Sequence, residues 1–68
     1  MNYCDYYVHE VLGKPKQVVF TAPNGTKYIW WDVAISYYYD NGELKKRKLS
    51  FDTSDAADRV EVGYHFMA

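Results

Sequence analysis

Residues 27–39 constrain the fold most, because their side chains sort by parity. Ile29, Trp31, Val33, Ile35, Tyr37 and Tyr39 form an unbroken apolar row, whereas Tyr28, Trp30, Asp32, Ala34, Ser36 and Tyr38 form a mixed one. Successive side chains of a strand point to opposite faces. A period of two therefore predicts one long strand, with its odd-numbered residues turned toward a core. Trp31 is expected to pack inward, and the rings on the reverse side to stay free.

Turn signals divide the rest of the chain. Gly13-Lys14-Pro15, Pro23-Asn24-Gly25 and Asp40-Asn41-Gly42 are breaks, and Asp52-Thr53-Ser54-Asp55 precedes a helix-like stretch that stops at Gly63. Residues 6–12, 16–22, 27–39 and 43–51 are rich in β-branched and aromatic side chains, which suit a pleated surface. The expected fold class is α+β: a small antiparallel sheet of about four strands with one short carboxy-terminal helix over residues 54–62, in a single domain of 1–68. Asp52, Thr53 or Ser54 can cap that helix and Gly63 can end it. A helix of roughly nine residues is not stable alone, so Ala56, Ala57 and Val60 must hold it on one face of the sheet, leaving the other face open. The tail Tyr64-His65-Phe66 is a last strand or a latch over the core.

Parity also sets the register of the second hairpin, since a slip of one residue exchanges the faces. A three-residue loop Asp40-Asn41-Gly42, with Gly42 in the left-handed conformation, sets Trp31 opposite Phe51 and Val33 opposite Leu49. A two-residue turn would instead put Lys46, Lys48 and Ser50 beside the apolar row. The longer loop leaves Lys45 and Arg47 near Tyr37 and Ile35, with their charged heads reaching past the sheet into water. For Pro23-Asn24-Gly25 the register stays open, because Val18, Val19 and Phe20 make both faces apolar.

With 68 residues, 49% hydrophobic and 19% aromatic, the chain is too apolar for a disordered segment and too short for a two-lobed cleft enzyme. Eight Lys+Arg against nine Asp+Glu produce no overall field that would imply general nucleic-acid affinity. Cys4 is the single cysteine, so no internal disulfide forms, and a reducing, cytoplasmic setting is expected. No apolar run approaches the ~20 residues of a membrane span. His9 and His65 are the only histidines, and no metal-ligand or phosphate-loop spacing occurs. Neither an enzyme nor a cofactor is expected.

Binding is therefore the function class left. Tyr28, Trp30 and Tyr38, on the less apolar face of the long strand, are of the type enriched at binding hot spots. They form a partner surface or a homodimer face, unless the amino-terminal segment with Tyr3, Tyr6 and Tyr7 covers them. Asp55, Asp58 and Glu61 form an acidic helix side, which is a solvated face or a dock for a basic protein. Lys46 and Lys48 share the face of Tyr28, Trp30 and Tyr38. Basic residues among aromatics describe a platform for single-stranded nucleic acid, and lysines equally protect a sheet edge from self-association.

The stretch Tyr38-Tyr39-Asp40-Asn41-Gly42-Glu43 through Phe51-Asp52-Thr53-Ser54 runs from a hairpin directly into a capped helix. In this it resembles small bacteriophage-encoded inhibitor and host-takeover proteins, which implies a host-cytoplasmic binder of a host or defence protein. The same half is similar to the sheet-plus-helix arm-binding domains of phage integrases, but those are strongly basic and this chain is not. Neither group supplies a motif from which site residues follow. The expectation is a non-enzymatic protein-binding module using Tyr28, Trp30, Tyr38, Asp55, Asp58 and Glu61. Nucleic-acid binding through Lys46 and Lys48 is the alternative.

Overall fold

The computed structural model describes residues 4–68. Its fold is α+β, with six strands and one short helix: β1 Asp5–Tyr7, β2 Glu10–Val11, β3 Lys16–Thr21, β4 Lys27–Tyr38, β5 Leu44–Phe51, α1 Ser54–Asp58 and β6 His65–Met67. β4 is the axis of an antiparallel sheet. β5 pairs along one edge of it, while β2 and β3 follow one another along the other. β1 and β6 form a separate antiparallel pair that joins the two ends of the chain. The molecule is a flat 43 × 28 × 15 Å.

Both hairpins turn in the same way. Gly25 and Gly42 have φ of 86° and 80°, and the amide of each donates to the carbonyl three residues back, Ala22 and Tyr39. Only glycine adopts that conformation without a Cβ penalty, so each closes a three-residue loop. Asn24 and Asn41 then accept from the amides of Thr26 and Glu43 at 3.0 and 2.9 Å. The second hairpin has Trp31 opposite Phe51 and Val33 opposite Leu49, as parity requires. The first, which parity left open, sets Val18 opposite Trp30 and Phe20 opposite Tyr28.

The core lies on the odd-numbered face of β4. Val33 and Ile35 are 1% and 0% exposed, and they pack with Tyr37, Leu49, Tyr6, Val8, Phe66, Ala57 and Val60. The rings of Tyr6, Tyr37 and Phe66 meet at 5.1 to 5.9 Å. Burying each such side chain stabilises the fold by about 1.5–3 kcal/mol. Burial pushes the Tyr6 phenol well above its ordinary value, and the carboxylate of Asp40, 3.3 Å from its hydroxyl, adds to the shift. Lys45 and Arg47 close the rim of the core, their heads over the rings of Tyr39 and Phe66 at 4.1 and 5.7 Å.

Several expectations are corrected. Residues 6–12 are not one strand: the chain leaves β1 after Tyr7, bends at His9 and enters the other sheet at Glu10. The helix ends at Asp58, with Arg59 as its C-cap, so Glu61 is not on it. Its last turn carries no basic residue, and Asp58 sits at the negative end of the helix dipole, where a carboxylate is unfavourable. Gly63, at φ 89°, bends the chain toward β6 instead of ending the helix. Among the three candidate caps it is Thr53 that acts, its Oγ1 accepting from the Ala56 amide at 3.2 Å. Ile29 and Tyr39, expected in the core, are exposed: Ile29 is not among the residues packed on the core, and Tyr39 stands at its rim, its ring stacked on Tyr6 of β1 at 5.9 Å. Tyr6 enters the core and does not cover the reverse face; Tyr7 is exposed, and Tyr3 lies outside the described residues.

Candidate functional site

The reverse face of the sheet is built from the even-numbered residues of β4 and their neighbours in register. Tyr28 and Phe20 stack with ring centroids 6.3 Å apart, each 51% exposed. Trp30 is next along β4, opposite Val18. Both tryptophans are half-buried, so depth does not separate them, contrary to the expectation that Trp30 stands clearly freer than Trp31. What separates them is what they touch. Trp31 packs against the buried core and Trp30 is not among the residues that do. Tyr38, exposed at the far end, meets the ring of His9 edge-on at 4.8 Å. Between them Ser36 is buried, its hydroxyl without a partner among the described residues, so the reverse face is not open along its whole length.

A groove interrupts this face. Between β2 and β3 the chain uses four residues, 12–15, where β4 has only Val33 and Ala34. The Leu12 amide still donates to the Ala34 carbonyl at 2.9 Å; the surplus lifts residues 13–15 off the sheet as a wide bulge, and Pro15 brings no amide to the ladder there. Under it is a groove of about 260 Å³, with Lys14, Lys16, Lys48 and Asp32 as its charged lining and Val18 and Ala34 below. Asp32 accepts a 2.6 Å hydrogen bond from the Ser50 hydroxyl. Lys46, opposite Ser36, is on the same face outside the groove.

The expected site residues thus fall into two groups. Tyr28, Trp30 and Tyr38 share the reverse face with Lys46 and Lys48. Asp55 and Asp58 are exposed on α1, which packs through Ala57 on the opposite, core-bearing side of the sheet, and Glu61 is exposed in the turn beyond it. One flat partner cannot cover both groups. Reading the sequence missed Lys14, Lys16 and Phe20. The signal for Phe20 was the Asn-Gly repeated at matching positions of both loops, which fixes the first register once the second is known.

Among the described residues no group of three or more His, Cys, Asp or Glu side chains is placed to hold a metal ion, and no helix is long and apolar enough to cross a membrane. Cys4 is exposed, and His65 Nε2 lies 2.8 Å from Asp5 Oδ1 on the surface of the β1–β6 pair. No family model, curated protein or solved structure matches the chain.

Proposed function

We propose that the chain is a non-enzymatic protein-binding module that engages its partner through the reverse face of the sheet, with Phe20, Tyr28 and Trp30 as anchors. The observation that carries this is the stacked Phe20–Tyr28 pair, half exposed beside Trp30 on a face that no other element among the described residues covers at that end. Rings of this kind desolvate a large area with few rotatable bonds, and charged groups around them steer the approach. Lys14, Lys16, Lys46 and Lys48 outnumber Asp32 and Glu10 on this side, so the complementary partner surface is apolar at its centre and acidic at its rim. The acidic residues Asp55, Asp58 and Glu61 take no part in that contact. An inhibitor of a host or defence protein, as in the phage proteins the chain resembles, is one form such a module takes.

A second reading, nucleic-acid binding, is favoured by the groove, which Lys14, Lys16 and Lys48 line, with Trp30 opposite the lining residue Val18 on the same face. Affinity capture with the immobilised chain, with and without nuclease and at low and moderate salt, separates the two. A protein contact survives nuclease and weakens only modestly with salt, through its rim charges, whereas a phosphate contact is lost to nuclease and weakens steeply. Trp30→Ala is expected to abolish capture with the circular-dichroism spectrum unchanged. Undiminished capture by the folded variant contradicts the assigned face.

A further inference from the structure

The sheet has two open edges, and they differ in kind. Backbone groups of an antiparallel strand point alternately toward and away from the neighbour. Because Tyr39 donates to Glu43 in the second hairpin, the outward groups of β5 belong to Leu44, Lys46, Lys48 and Ser50. Four consecutive basic residues, Lys45-Lys46-Arg47-Lys48, guard that edge, a common device against self-pairing. In the first hairpin Ala22 donates to Thr26, so the outward groups of β3 are those of Gln17, Val19 and Thr21. No backbone hydrogen bond reaches them among the described residues. Here the sequence is Gln17-Val18-Val19-Phe20-Thr21, uncharged throughout.

We infer that β3 pairs antiparallel with β3 of a second copy of this chain, about a two-fold axis through Val19, making one continuous sheet of the two. The edge is complementary to itself in that register. Gln17 faces Thr21 of the other copy and Val19 faces Val19, so every outward amide and carbonyl finds a partner, about six hydrogen bonds in all. On the core-side face the two Val19 side chains meet; on the reverse face Phe20 meets Val18. These are the exposed side chains that the fold of one chain leaves unexplained, Val19 at 55% and Phe20 at 51%. Lys16, the only charge in β3, lies opposite Ala22. The two copies of Lys16 are then roughly 20 Å apart, beyond the Debye length of about 8 Å. Pro15 fixes the register, because centring the pair on Val18 would set its missing amide against Thr21. Pairing through β5 would instead oppose lysines and arginines directly, which is destabilising. A two-fold contact closes on itself and stops at two copies. This inference rests on the backbone of one edge; it shares Phe20 with the proposed partner contact, but the Val19 variants below test it without altering any of that contact's anchors.

Sedimentation equilibrium of the purified chain from about 1 μM to several hundred μM tests it, together with residue-resolved amide exchange over the same range. The expected mass rises from 8.0 kDa to twice that value, and the Gln17, Val19 and Thr21 amides gain at least about tenfold protection as it does. Val19→Lys sets two ammonium groups across the axis. Val19→Pro removes an amide that makes no backbone bond among the described residues. Each is expected to weaken association at least tenfold, while Lys46→Thr leaves it unchanged. A wild-type chain that stays at 8.0 kDa throughout overturns the inference. So does a dimer in which those three amides gain no protection, or one that either folded Val19 variant leaves intact.

Discussion

Two halves of β4 share one alternation and one kind of turn, yet only one of them is interior. From Val33 to Tyr37 the odd-numbered side chains lie beneath β1, β6 and α1; at Ile29 the same row is open to solvent, as is Tyr28 on the other side. Ile35 is 0% exposed and Ile29 is 50% exposed, although both occupy odd positions on one strand. Alternation therefore assigns a side chain to a face, and the width of the covering layer decides whether that face is a core. The half that is covered holds the fold, and the half that is not is free to bind.

Truncating each half separates these roles. Ile35→Ala leaves a cavity in the core and is expected to cost about 2–5 kcal/mol, a large share of the stability of so small a domain. Ile29→Ala should cost less than about 1 kcal/mol, since its side chain is half solvated already. Urea unfolding of the two variants measures the difference, and equal costs would erase the distinction between the halves. Next in size are the turns at the two ends of β4. Among the described residues nothing lies within 4 Å of a Cβ at Gly25 or Gly42. Gly25→Ala and Gly42→Ala should therefore each lose only the left-handed backbone penalty, about 1–2 kcal/mol. A much larger loss at Gly42 than at Gly25 would mean that the covered end depends on its turn for more than backbone geometry.

Smaller effects sharpen the account of the covered half. The Tyr6 phenol is raised above its ordinary value of 10.0 by burial first and by Asp40 second. The folded chain thus keeps a proton that the unfolded chain releases. This contribution is present in full below pH 10 and is lost as pH rises toward the folded value. Thermal unfolding is expected to fall more steeply above pH 10 for the wild type than for Tyr6→Phe; parallel profiles would contradict the assignment. The smallest effect concerns Ser36, whose buried hydroxyl has no partner among the described residues. Ser36→Ala should be neutral or stabilise by up to about 1 kcal/mol, and a clear loss of stability in urea would show that the hydroxyl is bonded in solution.

The parts of the fold that could be read from sequence are those fixed by local chemistry. The parity of β4, the register of the second hairpin and the cap at the start of the helix all follow from residues within one or two turns of each other. The pairing of β1 with β6 does not, since it joins segments almost the whole chain apart and has only three residues on each side. For the same reason the split of residues 6–12 was hidden: Tyr6 and Val8 are drawn into the core while Glu10 and Val11 join the other sheet. Within the candidate site, Tyr28, Trp30, Lys46 and Lys48 were legible from parity alone. Lys14 and Lys16 were not, because their approach to Lys48 depends on a bulge whose two surplus residues are invisible until the registers on either side are known.

Residue-resolved amide exchange on the wild-type chain at about 1 μM tests most directly whether the two halves of β4 differ as described. The amides of Ile35 and Tyr37 should exchange only through global unfolding, and those of Tyr28 and Trp30 much faster, by local opening of the projecting hairpin. Equal protection at Trp30 and Ile35 in that dilute sample would contradict the account.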